Sequence, residues 1–178
     1  LWLLMVGAGL SESEALAIRR EDVRFSGGMA YVDVRRAYTA RDGMKAPKNA
    51  RRYRTAVMGA PFAERLQSAI AGTSGPIVAV TRGAHAGEPW GTRRAAIEWR
   101  KLFADGHPLH GYPYVHLSRM RATYATLARD AGVPDSEIMA TGGWSSTAMI
   151  DYYDMGRRGM RSGAGDALDA FLSGGDGR

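Results

Sequence analysis

The chain has 178 residues, enough for one well-buried core, and its 45% hydrophobic content is ordinary for a soluble domain. Its apolar runs are far shorter than the ~18 residues of a membrane span, and the lack of cysteine excludes disulfides and thiolate chemistry. The formal charge of +6 favours a polyanionic partner, and arginine provides 21 of the 24 basic residues. Arginine's planar fork suits phosphate groups, although a GC-rich genome would give the same bias.

Residues 1–18 predict two short helices. Apolar residues at helical spacing run up to a break at the first two glycines. Ser11 or Ser13 then caps a second helix, with Glu14 near its third position. The chain starts inside an apolar helical pattern and without an initiator methionine. We therefore expect it to be a fragment of a longer protein.

Residues 23–58 predict a small antiparallel sheet of three strands. Residues 23–25 and 29–38 form a hairpin across a Ser-Gly-Gly turn, and residues 53–58 form the third strand. A polar loop over residues 39–50 connects the hairpin to that strand.

Beyond the sheet the pattern is mainly helical. Residues 61–71 and 92–104 place apolar side chains at helical spacing, which predicts two amphipathic helices. The short apolar run at 77–80 indicates a buried strand or extended segment. Residues 105–115 then form a loop rich in glycine, proline and histidine.

Three histidines in or just after this loop, His107, His110 and His116, suggest a metal site as one interpretation. The loop offers no cysteine and no acidic cluster beyond Asp105. A zinc site is therefore disfavoured.

Residues 116–153 carry the most specific pattern in the chain. Gly132 and Pro134 stop a first helix, and Asp135 or Ser136 caps a second, shorter one. Two glycines then turn the chain into a last segment that begins with tryptophan and ends in two tyrosines. Four residues of the first helix recur at helical spacing and predict one buried stripe: Met120, Tyr124, Leu127 and Ala131.

This segment resembles the C-terminal half of a tyrosine recombinase (phage integrase) catalytic domain. The resemblance implies a fold that is mainly α-helical with a small antiparallel three-stranded sheet. It also implies one catalytic domain over residues 1–178, without the N-terminal core-binding domain that clamps DNA. The features that carry the resemblance follow one another without a gap: Arg121, the Ala-Thr-Leu run at 125–127, Ala131 and Gly132, the Gly-Trp-Ser-Ser turn at 143–146, and Tyr153.

The resemblance also implies which residues cleave DNA. Tyr153, nine residues after Trp144, is the implied nucleophile. Arg121 would hold the scissile phosphate, and Trp144 would pack or hydrogen-bond beside it. Lys48 would protonate the leaving 5′-hydroxyl, with Lys45 as the reserve. Without the resemblance, both lysines are interpreted as solvated loop charges.

Two positions depart from the family's pattern. Ser11 stands where the family has its first arginine, and Ser118 stands at the histidine position. The literal His-x-x-Arg motif lies two residues earlier, at His116 and Arg119. A shift of two residues rotates a helical side chain by roughly 200°, so Arg119 and Arg121 cannot both face the site. We align on Arg121, and we expect the two serines to reduce activity.

The remaining basic residues and the tail complete the prediction. Residues 156–164 form a flexible linker, and residues 165–173 form a short apolar helix that needs a groove to bury itself. We expect this helix to promote self-association on DNA. Arg51, Arg52 and Arg54 are candidates for contacts with the DNA backbone or for a simple exposed face, and Arg119 and Lys45 are further candidates for contacts with DNA.

By resemblance, the sequence predicts a site-specific recombinase that acts on double-stranded DNA through a 3′-phosphotyrosine intermediate, in the cytoplasm and with no cofactor or membrane. A phage-type integrase would work in the cytoplasm of its bacterial host. The alternative is a DNA-binding relative that kept the fold and lost the chemistry, because Ser11 and Ser118 replace charged groups. A topoisomerase-like relaxing activity would share the mechanism.

Overall fold

The computed structural model describes residues 1–46 and 53–153 of the 178-residue chain. Helices α1 (Trp2–Ala8) and α2 (Glu12–Ala17) open the fold, as predicted. The break between them falls at Gly9, whose φ of +64° is left-handed backbone that glycine adopts at no steric cost. Ser11 is the N-cap of α2, and Glu14 occupies its third helical position.

The described chain contains five strands: β1 (Val23–Ser26), β2 (Met29–Val34), β3 (Ala37–Thr39), β4 (Gly43–Lys45) and β5 (Arg54–Met58). Three of them form the predicted antiparallel sheet, in the order β1-β2-β5. In the centre of this sheet Val32 pairs with Val23 on one side and with Ala56 on the other. All three side chains are buried, so this face of the sheet packs on the core.

The prediction of an unstructured polar loop over residues 39–50 is wrong for its first part. Strands β3 and β4 pair there as a second, two-stranded hairpin. Its turn is held by Asp42, whose backbone amide donates to Thr39 Oγ1 at 3.2 Å and whose carboxylate pairs with Lys45. Strands of three residues are too short to show an alternating apolar pattern.

The other helices are α3 (Ala60–Ala69), α4 (Thr92–Lys101), α5 (Arg119–Asp130) and α6 (Asp135–Gly142), and residues 148–153 are also helical. The run at 77–80, predicted as a buried strand or extended segment, bends at its first two residues and forms no strand: Val78 alone of the four is buried, and Ala79 makes an isolated bridge with Pro89. None of the helices in the described ranges has the length and apolar character needed to cross a membrane.

The buried side chains form two hydrophobic clusters. The larger one joins α1, α2, the three-stranded sheet, α3 and α4, with Leu4, Leu16 and Val32 among its fully buried members. The smaller one lies around α5, α6 and the last helical segment. Its buried members are Ala125, Ile138, Trp144 and Ile150.

The buried face of α5 differs from the predicted stripe. Leu127 is 47% exposed and Ala131 is exposed as well, whereas Arg121, Ala122 and Ala125 are buried. Helix α5 packs against α1 on one side and α6 on the other, so the face between these neighbours is the one that is covered. An arginine on that face breaks the apolar pattern from which the stripe was predicted.

Gly9→Ala should destabilise the fold strongly. Left-handed backbone costs an alanine about 1–2 kcal/mol. A Cβ at this position would also lie 2.6 Å from the Tyr124 ring, which adds the ~1–3 kcal/mol of an overpacked core. Gly28→Ala is the matched control, because Gly28 has φ +74° and open space around its Cβ position. Urea unfolding should show the larger loss for Gly9→Ala; equal losses would contradict the close approach of Tyr124.

Candidate active site

Glu14 is the centre of a buried polar cluster between the two hydrophobic clusters. It is 1% exposed. Both the backbone amide and the hydroxyl of Ser11 donate to its Oε2 atom, each at 2.8 Å. This contact explains why α2 begins at Glu12: the carboxylate satisfies an amide that the helix leaves free at its N-terminus.

Arg54 reaches Glu14 from the start of β5. Its Nη1 lies 3.1 Å from Glu14 Oε1 and its Nη2 lies 3.4 Å from Oε2, so the guanidinium faces both carboxylate oxygens. Its Nε donates to the carbonyl oxygen of Thr141 at 2.5 Å. The side chain is only 6% exposed, so the expectation that Arg54 lies on an exposed face is wrong. Arg54 is buried because it pairs with the buried carboxylate of Glu14, which lies 40 residues earlier in the chain.

Arg121 reaches the same carboxylate from α5. Its Nη1 donates to the Gly9 carbonyl oxygen at 2.6 Å and lies 3.3 Å from Glu14 Oε2. The guanidinium carbon sits 4.3 Å from the centre of the Trp144 ring, within the range of a cation–π contact. Arg119, two residues earlier, is exposed, so the two arginines point in different directions, as the helical rotation requires.

Three aromatic rings adjoin this cluster. Tyr124 and Trp144 are stacked, with centres 6.2 Å apart and planes 22° apart. Tyr153 meets Trp144 edge-on at 6.1 Å and is itself partly buried. Tyr152 is 57% exposed. Trp144 therefore contacts both Arg121 and Tyr153, whereas Tyr152 points to the surface.

Tyr153 also lines a surface depression of about 250 Å³. Residues of α5 form the rest of its wall, including Arg119, Thr123 and Thr126. An anionic group in this depression would lie among one arginine, two threonines and the tyrosine. The depression gives Tyr153 access from the solvent that Trp144, at 7% exposure, does not have.

The remaining predicted residues lie outside the Glu14 cluster. Ser118 is exposed, and its hydroxyl lies 2.8 Å from His116 Nδ1. Lys45 pairs with Asp42 in the β3–β4 hairpin. Lys48, Arg51 and Arg52 fall outside the described residues, as do the linker at 156–164 and the helix at 165–173.

The environment of Glu14 keeps it ionised. Burial by itself would raise the pKa of this carboxyl. The charge and hydrogen bonds of Arg54, the amide of Ser11 and the charge of Arg121 outweigh the burial, so its pKa lies below the ordinary value. Burial also raises the pKa of Tyr124, which remains a neutral phenol.

Sequence reasoning missed the joint role of Glu14 and Arg54. The sequence predicts Glu14 only as a capping residue, and the signal available was a glutamate three residues after Ser11, the position at which the family's pattern has an arginine. The partner of that carboxylate could not be identified from spacing, because β5 reaches α2 only in the folded protein.

Comparison with known proteins identifies the fold. The sequence matches no protein-family model and no curated protein. The structure is similar to that of the Tn1549 transposon integrase in complex with transposon right end DNA, with a TM-score of 0.68, 17% identity, and coverage of 85% of this chain and 52% of that one. The chain has the fold of the tyrosine recombinase catalytic domain.

Two further structures with this recombinase fold agree. XerH site-specific recombinase, in a post-cleavage complex with its palindromic substrate, gives a TM-score of 0.65 at 13% identity, over 94% of this chain and 44% of that one. XerA recombinase gives 0.61 at 16% identity, over 98% and 56%. The chain spans about half the length of these structures. The predicted mainly α-helical fold with a small antiparallel sheet is confirmed.

Glu14→Gln should destabilise the protein by about 3–5 kcal/mol at neutral pH, because it leaves Arg54 and Arg121 facing each other without their carboxylate. The folded-state pKa of Glu14 is lowered. The contribution of the Glu14 carboxylate to stability is therefore complete above the pKa of about 4.3 that it has in the unfolded chain. This contribution is lost as the pH falls through the pKa of the folded state. The difference in free energy of unfolding between the parent and Glu14→Gln should become smaller below about pH 4.

Denaturant unfolding between pH 7 and pH 2 measures this gap. Glu64→Gln, at an exposed position of α3, is the control and should show little change at any pH. A gap for Glu14→Gln that stayed constant down to pH 2 would contradict an ionised Glu14 as its source.

Proposed function

We propose that this chain is the catalytic domain of a site-specific DNA recombinase of the integrase type. One observation carries the proposal: the Trp144 ring contacts both Tyr153 and the guanidinium of Arg121. A candidate nucleophile and a candidate phosphate-binding cation therefore lie on the same residue of the recombinase fold. Phosphoryl transfer to a protein hydroxyl requires a nucleophile, which a tyrosine can supply, and a cation that stabilises the charge on the phosphate, which an arginine can supply.

In this proposal Tyr153 Oη attacks the scissile phosphorus, and the bond from phosphorus to the 5′ oxygen breaks. The phenol releases one proton to solvent, and the leaving 5′ oxygen takes up one from Lys48. Arg121 stabilises the charge that builds on the non-bridging oxygens. The 3′-phosphotyrosine keeps the energy of the phosphodiester, so rejoining is the reverse reaction and consumes no nucleotide.

Charge supports DNA as the substrate. The chain carries a formal charge of +6, and Arg119 is exposed at the edge of the depression in which Tyr153 lies. The Tn1549 integrase structure with the same fold contains transposon right end DNA, and the XerH recombinase structure contains its palindromic substrate. We therefore propose Arg119 as a contact to the DNA backbone, with Arg51, Arg52 and Lys45 as further candidates. Such a function places the protein in the cytoplasm, where phage or transposon DNA is integrated.

A second candidate is a DNA-binding protein with this fold and no chemistry. Arg121 favours it, because its side chain is only 9% exposed and its guanidinium is already engaged by Glu14 and by the Trp144 ring. Ser11 and Ser118 in place of charged groups favour it too. The two candidates differ in whether DNA becomes covalently attached.

Tyr153, not Tyr152, should form the covalent adduct. A nicked substrate that loses its 5′ fragment on cleavage traps the phosphotyrosine, which is detected as a shifted band on a denaturing gel. Tyr153→Phe should abolish the band, because the attacking oxygen is gone. Tyr152→Phe is the matched control and should keep it, because Tyr152 is exposed, whereas Tyr153 is the tyrosine that lies against Trp144.

Each other outcome of the adduct assay has a definite meaning. An adduct that is lost with Tyr152→Phe and kept with Tyr153→Phe would overturn the assignment of the nucleophile. DNA binding by the parent without any adduct would favour the non-catalytic candidate.

We also propose that residues 165–173 dock on a neighbouring copy when the protein assembles on DNA. The segment carries Leu168, Phe171 and Leu172 at helical spacing behind a glycine-rich linker, and seven or so residues do not make a stable helix alone. A linker of this kind would allow the segment of one protomer to dock on a neighbouring protomer.

Deletion of residues 165–178 should weaken assembly on DNA more than it weakens the fold. Native gel shifts would show fewer multimeric complexes, while the Tm of dilute protein should fall by less than about 2 °C, because a docked tail adds nothing to an isolated copy. A large loss of Tm in dilute monomer would show instead that the tail packs on its own domain.

A further inference from the structure

The three-stranded sheet has one face that points away from the core, here called the outer face. The residues of β2 that are buried in the larger hydrophobic cluster alternate along the strand: Ala30, Val32 and Val34. Asp33 therefore lies on the outer face. Thr55, its paired residue on β5, is exposed there. Arg24 of β1 is exposed on the same face, because its own partner, Tyr31, lies two residues before Asp33.

Asp33 holds two arginines together on the outer face. Its Oδ2 atom accepts from Arg24 Nη1 at 3.0 Å and from Arg35 Nη2 at 2.8 Å, so the two guanidiniums lie within two hydrogen-bond lengths of each other. The hydroxyl of Thr55 donates to Oδ1 at 2.7 Å. The Asp33 side chain is only 9% exposed, whereas those of Arg24 and Arg35 are 61% and 60% exposed. The arginines therefore cover the carboxylate and themselves face the solvent.

The cluster carries a positive charge that an anion can reach. Burial by itself would raise the pKa of Asp33, but the hydroxyl of Thr55 and the guanidiniums of Arg24 and Arg35 lower this pKa below its ordinary value. Asp33 is therefore ionised, and two guanidiniums with one carboxylate leave one positive charge in excess. Each guanidinium has five N–H groups and directs at most two of them to Asp33. Most of the donors therefore remain for a ligand.

We propose that Arg24 and Arg35, held side by side by Asp33, bind one phosphate of the DNA backbone on the outer face of the sheet. The choice of DNA as the ligand rests on the proposed function. The site adds a DNA contact that is separate from the depression in which Tyr153 lies.

The position of the arginine pair suits DNA that is being cleaved. The chain leaves the sheet at Val34 and returns to it at Arg54, and these two residues are paired. Lys48, the proposed proton donor, lies between them in the sequence. Arg35 directly follows Val34, so the arginine pair lies at the same end of the sheet. DNA whose leaving oxygen reaches Lys48 approaches this end, and we expect the backbone beside the cleaved bond to pass the pair.

The surface at this end of the sheet has room for a phosphate. A depression of about 360 Å³ lies there, and its wall includes Asp33, Arg35, Tyr53 and Thr55. A guanidinium and a threonine hydroxyl on one wall can both donate to phosphate oxygens. The exposed ring of Tyr53 offers a surface beside them.

A simple surface ion pair is the competing explanation, and Asp33 separates the two. Exposed ion pairs contribute little to stability, and ordering two long side chains costs conformational entropy. Side chains that are already ordered lose less freedom when a ligand binds. Asp33→Asn makes the chain more positive, so a general attraction to DNA predicts tighter binding. A site in which Asp33 positions the two arginines predicts weaker binding.

Fluorescence anisotropy of a labelled DNA duplex of mixed sequence measures binding, in a Tyr153→Phe background that prevents cleavage. Contacts to the backbone carry no sequence information, so the duplex need not contain the target site. Arg24→Ala combined with Arg35→Ala should weaken binding at least about threefold and make the slope of log K against log salt shallower by about 0.9, the value for one phosphate contact. Asp33→Asn should also weaken binding, by less than this double variant.

The matched control removes the same charge elsewhere. Arg65 and Arg82 are both exposed, and Arg65 belongs to α3, which packs on the inner face of the sheet. Arg65→Ala combined with Arg82→Ala should leave the salt slope unchanged. Arg24→Lys combined with Arg35→Lys keeps both charges and should keep the slope.

Circular dichroism and thermal unfolding give the folded fraction of every variant, to which the affinity is normalised. Removing both arginines leaves the carboxylate of Asp33 without its cations. Adding Asp33→Asn to the double alanine variant removes that uncompensated charge. If the double variant unfolds, the same loss of slope should be measured in this triple variant.

The outcomes separate this inference from the proposed function. An unchanged salt slope in the alanine variants, or tighter binding by Asp33→Asn, would overturn the inference and leave the proposed function standing. Unchanged binding to the duplex together with lost binding to poly-glutamate would also overturn it and favour an acidic protein as the partner. A parent that shows the predicted losses of binding but forms no covalent adduct would support the inference and overturn the proposed catalysis. A parent that does not bind the duplex would overturn both.

Discussion

The carboxylate of Glu14 joins three parts of the chain that lie far apart in the sequence: the start of α2, strand β5 and helix α5. Removing an ionised carboxylate from water costs several kcal/mol unless charge-assisted hydrogen bonds replace its hydration. Ser11, Arg54 and Arg121 supply those bonds. Each of these partners is itself largely withdrawn from water, so a change at any one leaves the others buried without compensation. This requirement of charge therefore holds the three segments in one arrangement, in addition to the apolar contacts of the larger hydrophobic cluster.

The aromatic part of the site depends on this arrangement in turn. Arg121 is held by Glu14 and by the carbonyl oxygen of Gly9, and Trp144 lies on its guanidinium. Tyr124 and Tyr153 then pack on Trp144. Glycines stand where the approach is closest: a Cβ on Gly142 would lie 2.1 Å from the Trp144 ring. Stacking and cation–π contacts are each worth only about 0.5–2 kcal/mol, so the rings take their positions from the cluster rather than impose them on it.

The sequence predicted the parts of the fold that depend on local chemistry. The Gly9 break, the Ser11 cap and the three-stranded sheet all follow from signals within a few residues of each other, and the structure has them. The buried face of α5 was predicted wrongly because Arg121, a charged residue, lies on it. The burial of Arg54 was missed for a related reason: its partner is 40 residues away, and spacing along the chain does not reveal which strand meets which helix. The roles of Lys48 and Tyr153 rest on resemblance and remain predictions.

The charge at a site depends on which side chains reach it in the folded protein, whereas a motif specifies only positions along the sequence. Arginine has a long side chain, and its guanidinium can reach one point from several elements, so losing it at one motif position does not by itself remove the cation. Beside Ser11, the carboxylate of Glu14 holds two guanidiniums that come from different elements, Arg54 from β5 and Arg121 from α5. The Ser11 hydroxyl donates to Glu14 Oε2 at 2.8 Å, and the guanidiniums of Arg54 and Arg121 lie 3.4 Å and 3.3 Å from the same oxygen. Glu14 therefore couples the three side chains that surround it, and the effects of substitutions among them should not be additive.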